Sequence, residues 1–269
     1  MDSVYSHAYC ALDLETTGVN PYRERIIEVG IVRFDLNGSG GETFHALVNP
    51  EQPVSVQAYS VHGISDEELA DKPLYSDIAD EITAFIGNCY LVIQNPSFDL
   101  SFLHTENKRV RKPGITNFSY DTVSLSRKAF PALRNHKLDT VATHLNISRT
   151  FHRALDDALC CRDIFIRSLE RIDINRSLDV ASLKELCGFD TRRRIFRRLP
   201  SNRLNGTSIY PGETYAIRYI DKEGVQTERK IITRNVYQTG SQTVIHAFCC
   251  LRGEERYFNV KRIQHIESC

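Results

Sequence analysis

Hydrophobic and polar positions alternate through the first fifty residues with the period of two expected of half-buried strands. His7–Leu14 (HAYCALDL) reads as one strand and Arg25–Asp35 (RIIEVGIVRFD) as a second, rich in β-branched side chains. The run Gly38–Gly41 (GSGG) reads as a turn and Glu42–Val48 (ETFHALV) as a third strand. Turn-length gaps between three sequential strands predict a meander. The period then lengthens. Asp77–Ile86 places apolar residues at 78, 79, 82, 85 and 86, the spacing of a helix. Tyr90–Ile93 (YLVI) reads as a short buried strand. Helical spacing returns over Ser97–Glu106, Thr122–Ala129, Leu138–Leu145 and Ala154–Leu169. The order β-β-β-α-β-α-α-α predicts an α/β layered fold around a mixed sheet.

Beyond about residue 170 the pattern changes twice. A helix is expected over Leu178–Leu186, capped by Ser177. From Ser208 the chain reads as short strands: Tyr215–Ile220 and Thr227–Ile232 around a turn at Asp221–Gly224, then Val236–Tyr237. Thr243–Leu251 and Arg256–Val260 follow around Arg252–Glu255. A small twisted β-barrel or sheet of about 60 residues is expected there. The divisions read from these changes are 1–170, a helical basic linker at 171–207, and 208–269.

Composition fits a globular chain. Of 269 residues 41% are hydrophobic and 25% charged, which excludes a disordered or fibrous protein. A chain this long buries about 73% of its extended surface, enough for a core without disulfide staples. The formal net charge of zero conceals an asymmetry: residues 1–170 carry an acidic excess of seven and residues 171–269 a basic excess of seven. An acidic front can hold cations, and a basic rear can approach a polyanion. Eight cysteines show no CxxC spacing, and Cys160–Cys161 and Cys249–Cys250 are adjacent, so free thiols in a reducing compartment are expected. The opening residues lack the charged and apolar regions of a signal peptide, and no apolar run reaches the ~18 residues of a membrane span. A cytoplasmic location is the resulting expectation.

Five residues carry candidate chemistry. Asp13 and Glu15 stand two apart at the end of the first strand, on one face and about 7 Å apart at Cα. Asp99 lies six residues past the YLVI strand, where Pro96 and Ser97 can start a helix. Asp157 lies in FHRALDDA, five residues after His152. Taken singly, an Asp-x-Glu pair or a histidine is an ordinary solvated feature. Four acids at the ends of different elements with one histidine instead suggest two-metal phosphodiester hydrolysis. Two divalent ions about 4 Å apart stabilise the attacking and leaving oxygens of such a reaction. Hard carboxylate oxygens suit Mg²⁺ or Mn²⁺ better than zinc. His152 is placed to take a proton from the attacking water.

These segments resemble the DEDD exonuclease superfamily, histidine subtype, the group of bacterial proofreading exonucleases, ribonuclease T and oligoribonuclease. ALDLETTG is similar to its first motif and carries Asp13 and Glu15; LVIQNPSFDLSFL is similar to the second and carries Asp99. HRALDDA is similar to the third and carries His152 and Asp157. SVHGISDEELADKP and YDTVSLSRKAFP also resemble proofreading-type domains, so the likeness spans about residues 7–170. Gln94 departs from the pattern, since such domains very often have His before the Asn of the second motif.

The resemblance implies a ribonuclease H-like exonuclease fold and 3′→5′ release of nucleoside 5′-monophosphates with two divalent ions. It implies that Asp13 touches both ions, that Glu15 and Asp157 complete one site, and that Asp99 serves the other. Thr16, Thr17, His62, Gln94 and Asn95 are expected near the terminal nucleotide. The proofreading likeness favours single-stranded DNA or frayed DNA 3′ ends. An exoribonuclease of the same fold and a catalytically silent nucleic-acid-binding regulator are the alternatives.

The rear segment carries TRRRIFRRLPSNR, in which Arg193 and Arg197 are candidate phosphate contacts. IRYIDKEGVQTERKI and VIHAFCCLRGEERYFNVKRIQHI resemble a WYL domain, an Sm/SH3-like β module, although TVI stands at 243–245 and the namesake Trp-Tyr-Leu is missing. That likeness implies nucleic-acid or nucleotide contact through Arg252 and Arg256. Self-association and a protein partner both stay open.

Overall fold

A computed structural model describes the chain apart from residues 1, 39, 149–150, 192–202, 205–206, 210–212, 222–223 and 240–241. It divides into two compact units, Met1–Arg197 and Arg198–Cys269.

The first unit is built on a six-stranded mixed sheet. β1 (Ala8–Thr16), β2 (Ile26–Asp35) and β3 (Gly40–Leu47) form the expected antiparallel meander. β4 (Tyr90–Ile93) and β5 (Ser119–Asp121) add in parallel, and β6 (Gly188–Phe189) closes the edge antiparallel. The strand order is β3-β2-β1-β4-β5-β6. The helices are α1 (Val56–His62), α2 (Asp66–Leu69), α3 (Tyr75–Ile86), α4 (Pro96–Arg109), α5 (Thr122–Ala129), α6 (Leu138–His144), α7 (Ala154–Ile172) and α8 (Val180–Cys187).

Strand alternation sorts the side chains into two layers. Cys10, Leu12 and Leu14 of β1 pack with Val29 and Ile31 against α3 and α4. Tyr9 and Ala11, with Val32 and Phe34, face the other way onto α5, α7 and α8. Tyr9 lies 5.5 Å from the Phe34 ring and 5.4 Å from that of Phe165 on α7. Asp13 and Glu15 continue the Tyr9–Ala11 face, so both carboxylates point toward the helix layer that contains α7.

Several boundaries differ from expectation. β1 runs to Thr16 instead of ending at Leu14, because its pairing with β2 continues past a bulge between Glu15 and Thr16. α8 starts at Val180, and its cap is Asp179, which accepts the Ser182 N–H; Ser177 instead donates to Asp173. α1, α2, β5 and β6 add short elements that the periodicity did not mark.

The second unit holds a short pair, β7 (Arg203–Leu204) with β8 (Thr207–Ser208), and a five-stranded antiparallel sheet. Its strands are β9 (Thr214–Ile220), β10 (Gln226–Thr239), β11 (Gln242–Cys249), β12 (Glu254–Asn259) and β13 (Ile263–Ser268), ordered β12-β11-β10-β9-β13. Tyr215, Ile217, Ile231, Ile245, Phe258 and Ile266 form its separate core. The segments expected as Thr227–Ile232 and Val236–Tyr237 are one strand, interrupted by a register shift between Thr233 and Asn235. Among the described residues no pairing joins β12 to β13, so of the barrel or sheet expected there the structure shows an antiparallel sheet.

Candidate active site

Parallel pairing of β4 with β1 brings the start of α4 beside the end of β1. Asn95 takes the left-handed conformation, φ 60°, and Pro96 opens the helix, which places Asp99 in the first turn. Asp99 is 3% exposed. α7 crosses the same end of the sheet and presents buried Asp157 from its first turn. The ligand atoms of Glu15, His152 and Asp157 lie within 4.8 Å of one another. Asp13 joins them electrostatically: Asp99, Asp157 and Glu15 all act on its ionisation.

That electrostatic setting is unfavourable to the acids as they stand. Burial first, then the Asp99, Asp157 and Glu15 charges, holds the Asp13 carboxyl well above the ordinary range. Asp99 is raised as well, by burial and by Glu15, against the pull of its own and Leu14's backbone. Glu15 is pushed up to about 8 by burial, with Asp157 and Glu28 adding to it and Arg153 opposing. Asp157 is raised to about 6 by burial, opposed by the backbone of His152 and Arg153 and by the His152 ring. Its Oδ2 accepts the His152 N–H at 2.8 Å, whereas its Oδ1 is buried with no hydrogen-bond partner. Crowded carboxylates and an unpartnered buried oxygen are what a hard divalent cation would neutralise, so these residues fit such ions.

The local sequence makes the approach of α7 feasible. Gly30 of β2 pairs with Asp13, and a Cβ there would sit 2.2 Å from the Ala154 carbonyl carbon. Only a glycine lets the helix start lie this close to the sheet. Glu28 pairs with Glu15 and is 1% exposed; it accepts from Arg153, from the Ala154 N–H and from His45. His152 is exposed and holds φ 65°, a strained backbone for a non-glycine residue. Sequence reasoning passed over Glu28 and Gly30. Their signal was a carboxylate and a glycine interrupting the apolar run from Ile26 to Val32.

The other expected site residues have definite places. Thr16 donates to the Gly18 carbonyl, and buried Thr17 is engaged with Glu24, the Arg25 N–H and Gln52. Gln94 donates to the His136 carbonyl and accepts from Thr122, so both ends of its amide are used inside the protein. Asn95 is exposed and accepts from Ser97. His62 is buried, accepts the Ile64 N–H at Nδ1 and keeps a buried Nε2 without a partner. Burial lowers its pKa, while the Thr16 backbone and Glu28 pull the other way, which puts it beside the acidic cluster. In the second unit Arg252 is exposed and Arg256 pairs with Glu254 at 3.2 Å. Arg193 and Arg197 lie outside the described residues.

The exonuclease family of the RNase T type matches residues 10–165. The chain belongs to that family. It is 37% identical over 164 residues to the DNA polymerase III subunit epsilon of Rickettsia typhi, a match covering 58% of this chain and 71% of that protein. The Salmonella typhimurium subunit epsilon is 36% identical over 167 residues, covering 58% and 68%. Among solved structures, exonuclease X in complex with 5′ overhanging duplex DNA superposes with a TM-score of 0.52 at 22% identity, covering 66% of this chain and 98% of that one. The nuclease domain of 3′hExo, described as a DEDDh family member and bound to rAMP, gives 0.55 at 19% identity, covering 63% and 94%. The exonuclease thus has the fold of that group, and Glu15, His152 and Asp157 form a histidine-containing acidic cluster. It is a metal-dependent 3′–5′ exonuclease of the DEDD histidine subtype. Among the described residues, no helix is long and apolar enough to cross a membrane.

Proposed function

We propose that this exonuclease degrades DNA from single-stranded or frayed 3′ ends, releasing nucleoside 5′-monophosphates. The observation that carries the reading is the convergence of Glu15, His152 and Asp157 within 4.8 Å beside Asp13 and Asp99. Asp13, Glu15 and Asp157 would hold one Mg²⁺ or Mn²⁺ ion, and Asp13 with Asp99 a second. When bound, such ions stabilise the attacking and leaving oxygens of the phosphodiester. His152 takes the proton of the attacking water, and its exposure lets the imidazole pass that proton to solvent. Thr16, His62 and Asn95 flank the place of the terminal nucleotide. The subunit epsilon relatives, named for a DNA polymerase, support DNA as the substrate.

The division into 1–170, 171–207 and 208–269 belongs to the same reading, with the rear as a nucleic-acid-holding appendage. A single 3-10 turn, Val260–Arg262, leads from β12 into β13, which pairs back onto β9. We read this unit as the SH3-like or WYL-like module that its sequence resembles, with Arg252 and Arg256, and Arg193 and Arg197 before it, on the phosphate backbone. The test of the reaction is its product. Chromatography of a digested oligonucleotide should give 5′-mononucleotides from the wild type and at least ~100-fold less from His152→Ala or Asp157→Asn. Near wild-type turnover by either folded variant would sink the assignment.

A further inference from the structure

We propose that Glu28 is a positioning residue of the exonuclease site, holding His152 and Asp157 in register with Asp13 and Glu15 through the first turn of α7. The inference rests on the site as read above. A carboxylate at 1% exposure within the strand Ile26–Asp35 is costly unless its oxygens are fully partnered. Glu28 is so partnered. Arg153 donates to it from Nε at 3.2 Å and from Nη2 at 3.0 Å, the Ala154 N–H at 3.0 Å, and His45 Nε2 lies at 2.7 Å. Apart from His45, every one of these partners belongs to the two residues that directly follow His152.

Register explains why this anchor governs the site. Glu28 stands opposite Glu15 and Gly30 opposite Asp13, so the β2 residues that face the two β1 acids also seat α7. α7 has no side-chain cap of its own, since Arg153 at its N-cap makes no such bond. The Glu28 carboxylate fills that role for the Ala154 N–H from a different strand, where negative charge also suits the helix start. The first turn is closed by the Asp157 N–H on the Arg153 carbonyl at 2.9 Å. A shift of Arg153 therefore moves Asp157 through the helix and His152 through the adjoining peptide. Catalysis is sensitive to displacements of this kind, with about 1 Å costing on the order of 100-fold.

The test uses the full-length chain and three variants, Glu28→Ala, Glu28→Gln and Arg153→Lys. Three quantities are read: Mn²⁺ affinity by titration calorimetry, kcat and KM on a single-stranded DNA oligonucleotide, and the thermal midpoint. Glu28→Ala should lower kcat about 100-fold while KM stays within about threefold. It should weaken Mn²⁺ binding about tenfold. Glu28→Gln keeps an acceptor for the Ala154 N–H and should recover roughly a tenfold part of the lost kcat. Arg153→Lys leaves Glu28 in place but loses the two-pronged guanidinium contact, and should fall between wild type and Glu28→Ala. Wild-type kcat and Mn²⁺ affinity in folded Glu28→Ala would overturn the proposal, as would a lowered midpoint with kcat unchanged. If Glu28→Ala does not fold, wild-type values in Arg153→Lys overturn it instead. A wild type that binds Mn²⁺ without cleaving DNA would refute the substrate reading, and the Mn²⁺ measurements would still decide Glu28.

Discussion

At the scale of single residues, the acids of the site work against the fold that holds them. Glu15, raised to about 8, and Asp157, raised to about 6, bind their protons more tightly in the folded chain than in the unfolded one. Such groups support the fold fully below their ordinary values near 4 and lose that support as pH climbs through about 6 and then 8. The ion-free protein should therefore melt at progressively lower temperature between pH 5 and pH 9. Added Mg²⁺ or Mn²⁺ should reverse the loss at pH 8, since it binds the ionised acids of the folded state. Scanning calorimetry with EDTA and with metal checks both; a midpoint independent of pH would contradict the reading. The same repulsion makes Asp13→Asn informative. It should raise the ion-free midpoint at pH 8 by at least about 2 °C while abolishing hydrolysis, a stability gain bought by losing function. A lowered midpoint in that variant would assign Asp13 a structural role.

Among the elements, the seating of α7 on β2 decides whether the site assembles. Gly30→Ala would thrust a methyl group into the Ala154 backbone. Overpacking of that kind costs about 1–3 kcal/mol. Urea midpoints should show that loss, and kcat should fall by more than the loss of folded protein explains; wild-type kcat would refute the close approach. Much of this level was legible beforehand. The meander, YLVI and the long helix show in the hydrophobic period, and DLE, FD and HRALDD mark the ends that carry the chemistry. β5 and β6 were not legible, because three and two residues are too short to display a period. α2 left a readable trace, a Ser65–Glu68 capping box, within a segment otherwise read only for its family likeness. Glu28 and Gly30 were visible only as interruptions of an apolar strand, since their meaning depends on a helix more than a hundred residues away.

Over the whole molecule, each unit has its own core. The front packs two layers about a mixed sheet, and the rear packs Tyr215, Ile217, Ile231 and Phe258 within a small antiparallel sheet. Two transitions are therefore expected in denaturant, and a chain ending at Arg197 should keep the larger one and its hydrolytic activity. Its KM for oligonucleotides should rise, more at low salt than at high, if the basic rear grips phosphates. Unchanged KM at both salt concentrations would detach the rear unit from substrate binding.

The most direct test follows matched 5′-labelled single-stranded DNA and RNA oligonucleotides during digestion with Mg²⁺, Mn²⁺ or EDTA, comparing wild type with Asp157→Asn. The predicted result is a descending ladder on DNA with divalent metal, weaker on RNA and absent with EDTA or in the variant. A ladder that persists in EDTA, or in folded Asp157→Asn, would contradict the metal-dependent site described here, and faster loss of RNA would reverse its substrate.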